Sequence, residues 1–192
     1  MSTDLATIDR AEPAPRQAEV KVWDPLVRVF HWGLVAAFVF AWVTGDEVKQ
    51  VHIMAGYAVI GLVAFRILWG FIGARRARFA DFVRGPGSVA SYLRDAARLR
   101  AKRYLGHNPA GGAMIVALLV MLSIIGATGF MMTTDAFWGV AWVQAAHETA
   151  VSLTLGLVVL HIVGVIVASC EHRENLVRAM ITGRKRVETE RR

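Results

Sequence analysis

Cysteine is almost missing from this chain of 192 residues: Cys170 stands alone. One thiol excludes an internal disulfide framework and any cysteine-based zinc cluster. With no Cys-x-x-Cys-His run, covalent c-type haem attachment is excluded too. A glycine-rich phosphate loop is also lacking, which argues against nucleotide chemistry. Charge is scarce, at 19% of residues, where a soluble domain carries roughly a quarter. Hydrophobic residues reach 55%, and mean hydropathy is +0.44. The composition is that of one lipid-embedded domain. The remaining charge is unbalanced, 22 Lys+Arg against 15 Asp+Glu, a net of +7. Nucleic-acid binding is not expected from this excess, because the chain offers too little polar surface and membrane topology accounts for it.

Four stretches are nearly free of charge. Val29 to Gly45, Tyr104 to Thr134 and Thr149 to Cys170 contain no Asp, Glu, Lys or Arg, and Gln50 to Ala74 contains only Arg66. Each approaches the ~20 residues that cross a bilayer as a helix. Helix is required there because lipid offers no water to satisfy open backbone groups. The expected fold class is an all-α integral membrane protein, a four-helix transmembrane bundle with spans at about 25–45, 51–73, 109–132 and 147–169. Asp24-Pro25 and Asn108-Pro109 each set a capping side chain before a proline suited to the first helical position. The six tryptophans lie mostly near span ends, as interfacial aromatics do.

Lys and Arg set the orientation. Segments 1–28, 75–108 and 171–192 hold four, nine and seven of them, while 46–50 and 133–148 hold only Lys49. The positive-inside rule then makes both termini and the middle loop cytoplasmic, in a multi-pass membrane protein. Residues 1–20 lack a continuous apolar run and read as a disordered cytoplasmic tail, not as a signal peptide. Residues 21–186 form the bundle domain, and 187–192 a basic C-terminal tail. Within the middle loop, Ser88 to Leu99 reads as a short amphipathic helix with Val89, Tyr92, Leu93, Ala96 and Leu99 on its apolar side. It suits either anionic headgroups or a solvated connector.

Four of the six histidines fall within or at the ends of spans, where an ionisable side chain is costly and marks function. His31 lies about 9 Å into the first helix from the cytoplasmic end, and His161 about 12 Å from the cytoplasmic end of the fourth. His52 and His147 each open an inward-running helix near the outer surface. His147 and His161, fourteen residues apart, differ by only about 40° around their helix and share a face. The depths pair His31 with His161 and His52 with His147. Two imidazoles at one depth on different helices match bis-histidine ligation of a flat iron cofactor inside a bundle. An isolated intramembrane histidine is often only an interhelical hydrogen bonder; two depth-matched pairs are harder to reach by chance. Glycines beside these positions (Gly33, Gly56, Gly164, with Gly126 and Gly129 on the third helix) permit close approach of a ring or of another helix. His107 and His172, at span edges, read as surface residues.

The stretches Val22 to Trp32, Val51 to Tyr57, Phe65 to Gly70, Gly106 to Met114, His147-Glu148 with His161, and His172 to Leu176 resemble the bacterial cytochrome b-561 family. That family includes the b-type cytochrome subunits of nickel-iron hydrogenases. The resemblance spans residues 22–186 and implies a diheme b cytochrome with His31, His52, His147 and His161 as axial ligands of two haem b. Arg66, fourteen residues after His52, then lies toward the inner haem level. It either meets a haem propionate as a bidentate donor or snorkels to headgroups.

The function so implied is electron transfer across the membrane between the quinone pool and a redox protein. That partner would be a c-type cytochrome or a hydrogenase-like protein. Superoxide oxidation coupled to quinone reduction is the catalytic alternative, and a haem-free scaffold subunit the non-redox one. The outer segments, with Asp46, Glu47, Asp135 and Glu148 against Lys49, carry a net charge of −3, which favours a cationic partner over an anionic substrate.

Overall fold

The computed structural model describes residues 17–45 and 47–188. Strand β1 (Gln17–Lys21) leads to helix α1 (Pro25–Thr44), and a short turn to α2 (Lys49–Ile72). A 3₁₀ turn, Arg75–Ala77, precedes the four-residue α3 (Phe79–Phe82) and α4 (Pro86–Ala97). Then come α5 (Pro109–Met131), the 31-residue α6 (Ala141–Glu171), α7 (Leu176–Thr182) and strand β2 (Arg184–Glu188). The helices α1, α2, α5 and α6 are long and apolar enough to cross a membrane.

Local chemistry explains where they begin. The Asp24 carboxylate accepts the Leu26 amide at 2.7 Å, and the Asn108 side-chain oxygen accepts the Gly111 amide at 2.7 Å, each with proline at the first helical position. The fourth long helix differs from expectation. It begins at Ala141, six residues before His147, because Gly139 at φ +73° makes the turn and the following residues have no helix breaker among them.

Packing runs in series. Among the described residues α1 packs on α2, α2 on α5, and α5 on α6, whereas α6 packs extensively on neither α1 nor α2. The core comprises Phe30, Val59, Val63, Leu119, Leu122, Ile125 and Ala150. Outward, Val29, Phe40, Leu68, Ile72, Val120 and Val159 are all more than half exposed. In water such a surface would associate; in hydrocarbon it is the solvated face.

The all-helical expectation needs one amendment. Residues 17–21 pair antiparallel with 184–188, Gln17 opposite Glu188 and Lys21 opposite Arg184. Residues 17–20 and 187–188, expected in tails, are therefore strand, because each supplies the other's ladder partners; residues 1–16 and 189–192 lie outside the described residues. Gly183, at φ +80°, ends α7 and turns the chain into β2, and its carbonyl accepts the Val22 and Trp23 amides. Arg28 donates to the Ile181 carbonyl. The ribbon puts the beginning of the first span and the end of the last on one side of the bundle.

The amphipathic loop helix forms as α4, two residues earlier than read. It packs on α5 and buries Tyr92, with Val89 and Ala96 half-buried; Leu93 and Leu99 point outward.

Candidate functional site

At one end of the bundle the rings of His52, on α2, and His147, on α6, stand 6.2 Å apart, centroid to centroid, and nearly perpendicular at 75°. Nδ1 of His52 lies 2.8 Å from the carbonyl oxygen of Ala41, on α1. A carbonyl can only accept, so this nitrogen carries the hydrogen and donates it. Nδ1 of His147 lies 3.1 Å from the Ile125 carbonyl and 3.1 Å from the Thr128 hydroxyl oxygen. That hydroxyl donates to the Ile124 carbonyl at 2.7 Å, which leaves its lone pair for the imidazole. Both rings are thus fixed as Nδ1–H tautomers, with Nε2 deprotonated and free. A metal-ligating histidine is oriented in this way, its second nitrogen donating to a backbone carbonyl.

The spacing also fits. Imidazole nitrogen binds a metal ion at about 2.0–2.1 Å, so two rings sharing one ion stand about 6.3 Å apart at their centroids. Gly129 makes room: a Cβ there would lie 3.1 Å from Cε1 of His147. Thr128 and Gly129 belong to the site through α5, and Ala41 through α1. Of these, Gly129 stood out in the sequence as a glycine that permits close approach of a ring or a helix, and the two carbonyl contacts left no side-chain signature.

Toward the other end, His31 on α1 and His161 on α6 come within electrostatic reach of each other. The His31 ring stands edge-on to Trp32, at 5.1 Å, and its Nδ1 is buried with no hydrogen-bond partner among the described residues. Each couple bridges helices that do not pack extensively on each other, α2 with α6 and α1 with α6. Gly56 and Gly164 border open space, with nothing within 4 Å of an added Cβ, whereas at Gly33 a Cβ would make ordinary contact with Leu62 at 3.8 Å. Among the described residues no three of His, Cys, Asp and Glu gather into a multidentate metal cage. Two-histidine sites between helices suit a cofactor that brings its own equatorial donors, and haem does so.

Arg66 does not reach for headgroups. It is 3% exposed, its guanidinium lying over the rings of Phe79 and Phe82 at 5.3 and 5.7 Å, and its Nη1 has no partner among the described residues. His107 corrects the surface expectation: its side chain is half-buried. Its ring sits between Trp23, at 4.6 Å, and Phe82, at 4.9 Å, and its Nδ1 is buried and unpartnered. Burial, with the charges of Arg66 and Lys185 and the His161 ring nearby, pushes this imidazole down to about 3, so it is neutral at physiological pH. The sequence placed it at a span edge; α3, through Phe82, and the segment before α1, through Trp23, pack against its ring there. His172 caps the end of α6 and is half-buried.

Around this end lies a polar cap. Lys185 is buried, its ammonium 3.2 Å from the Tyr104 carbonyl and 3.4 Å from Glu174, which also receives Arg103. The Glu171 carboxylate accepts the Ala101 amide at 2.7 Å.

Comparison with known proteins finds sequence similarity along most of the chain. A sequence model described as prokaryotic cytochrome b561 matches residues 22–183. The probable Ni/Fe-hydrogenase B-type cytochrome subunit of Rhodobacter capsulatus is 26% identical over 233 aligned positions, covering 95% of this chain and 87% of that protein. Its namesake from Azotobacter vinelandii is 24% identical over 173 positions, covering 74% and 71%. No solved structure matches.

Proposed function

The chain belongs to the prokaryotic cytochrome b561 family, and from that membership we propose a membrane-bound diheme cytochrome b that passes electrons across the cytoplasmic membrane between a redox protein and the quinone pool. The family implies a membrane electron-transfer cytochrome carrying haem b. Haem supplies reversible one-electron chemistry at its iron when bound. The observation that carries the diheme reading is the outer couple: His52 and His147, 6.2 Å apart, with both Nδ1–H groups anchored so that both Nε2 atoms are free.

His52 and His147 would hold one haem and His31 and His161 the other. The helix carbonyls of Ala41 and Ile125 keep the outer imidazoles oriented and raise their basicity as ligands. Thr128 and Gly129 position His147, and the open space beside Gly56 would admit the edge of a macrocycle. The apolar surroundings exclude water and so raise the influence of every nearby charge on potential. No side chain is required as nucleophile or base.

The lysine and arginine distribution makes the cap side cytoplasmic, with the His31–His161 level nearer to it. The two relatives are named as hydrogenase subunits, which favours a hydrogenase-like redox partner. The acidic outer segments would equally suit a basic c-type cytochrome.

A reduced-minus-oxidised spectrum with haem quantitation tests the reading. Two haem b per purified chain are expected. A preparation without a Soret band or bound iron would leave a scaffold role, and fast haem reduction by superoxide in stopped flow would replace the redox-protein donor with superoxide.

A further inference from the structure

Arg66 and His107 come from different elements, α2 and the loop before α5, yet both lie against the ring of Phe82, itself 1% exposed. Each ends in a buried nitrogen without a partner among the described residues, Nη1 of Arg66 and Nδ1 of His107. Buried polar groups are nearly always hydrogen-bonded, so two orphans on one ring point to an acceptor that the polypeptide does not supply. The electrostatics identify its sign. Among the described residues no carboxylate lies within ion-pair distance of Arg66, since Asp81 pairs with Arg75 and Glu174 with Arg103 and Lys185. The neighbours that His107 senses are Arg66, Lys185 and His161, all basic. A buried arginine without a counter-charge is costly, and an oxyanion would remove that cost while accepting from both groups.

We propose that Arg66 and His107, each packed against Phe82, form the seat for a haem propionate at the inner, His31–His161 level. The assignment rests on the diheme reading above. Position selects haem as the source of the carboxylate. Arg66 lies six residues before the end of α2 and His31 six residues after the start of α1, at the same end of that antiparallel pair, so the seat lies at the level of the inner couple. Trp23 packs against the imidazole at 4.6 Å, and its amide is tied to Gly183 at the terminal ribbon, so the seat lies under that ribbon's end. The guanidinium offers a charged, forked donor, and the neutral imidazole one N–H, without a second charge to desolvate. A quinone carbonyl would accept the same hydrogen bonds but would leave the arginine uncompensated.

The test uses the purified holoprotein carrying haem ¹³C-labelled at its propionates. Redox-difference infrared spectra, haem per chain and the two midpoint potentials are compared for wild type, Arg66→Gln, His107→Leu and His107→Gln. Loss of the arginine charge favours the ferric state, so Arg66→Gln is expected to lower one midpoint potential, leave the other in place and move the label-sensitive carboxylate bands. His107→Leu should move the same bands, with a smaller potential shift, and His107→Gln, which retains an N–H donor, should restore them. Loss of one haem alone from Arg66→Gln also supports the seat, the retained haem showing that the bundle has folded. Unmoved bands and potentials in both Arg66→Gln and His107→Leu would overturn it. So would equal shifts of both haems, or a defect confined to quinone-dependent reoxidation. If wild type carries no haem, the diheme reading itself fails; if it carries two and the bands stay still, only the seat does.

Discussion

At the scale of single residues, the imidazoles can be interrogated one at a time. His52→Ala or His147→Ala removes one ligand from the couple 6.2 Å apart, and each is expected to reduce haem from two per chain to one while leaving the other centre's spectrum unchanged. Pyridine haemochrome quantitation checks this, and identical residual spectra from the two variants would establish the pairing. Gly129 offers a gentler perturbation. A Cβ at that position would sit 3.1 Å from the His147 ring, so Gly129→Val should tilt the ring and broaden the electron paramagnetic resonance signal of one low-spin centre only. That His31, His52, His147 and His161 were the residues to watch was readable from their cost in lipid. That the His107 ring is half-buried with its Nδ1 covered was not: its packing depends on Trp23 and Phe82, 84 and 25 residues away in the chain.

At the scale of helices, boundaries follow local rules where the rule is carried by the residues themselves. The Asn108 side chain satisfies the Gly111 amide, so Asn108→Ala should destabilise the start of α5 by about 1 kcal/mol. Gly112, one turn further, faces the Phe82 carbonyl, which a Cβ would approach to 2.5 Å; Gly112→Val should cost about 1–3 kcal/mol through displacement of α3. Both are measured as thermal unfolding in detergent micelles, and Gly112→Val should in addition disturb Arg66, because Phe82 lies under its guanidinium. The amphipathic helix in the middle loop was legible from its periodicity. Its neighbour α3, only four residues long, was not, since Phe79 and Phe82 belong to a helix only because α2 and α5 hold their rings. The early start of α6 escaped for a related reason: Glu148 resembles a boundary in a count of charges, but an exposed carboxylate at a span end disrupts no backbone hydrogen bond.

At the scale of the molecule, the cap and the topology are testable. Desolvation, assisted by Arg103 and Arg76, holds the Lys185 ammonium at about 8 against an ordinary 10.5, despite Glu174 at 3.4 Å. Between those values the unfolded chain binds the proton more tightly than the folded one, so folded stability should rise with pH through this window; below about 8 the full cost of burying the charge is present. Tyr92, raised by burial first and then by Glu171 and Tyr104, acts in the opposite direction at the upper end. Unfolding midpoints from pH 7.5 to 10 should therefore climb in wild type, and Lys185→Met should flatten that climb. The lone thiol reports sidedness. Cys170, exposed near the end of α6, is expected to react with a membrane-impermeant maleimide in inside-out vesicles and to be protected in right-side-out ones. The reverse pattern would invert the proposed topology.

The spans, their caps and the four costly histidines were determined by sequence alone, because lipid leaves a polypeptide one way to satisfy its backbone and makes every intramembrane charge conspicuous. Only the tertiary structure decided which atoms do the holding. The carbonyls that fix the His52 and His147 imidazoles, the glycine that admits one of them, the ribbon that ties residues 17–21 to 184–188, and the arginine and histidine left without acceptors among the described residues all arise from contacts between distant segments. Backbone carbonyls are the same in every residue, so no pattern of side chains announces them. They acquire a role only when packing brings a ring within hydrogen-bond distance.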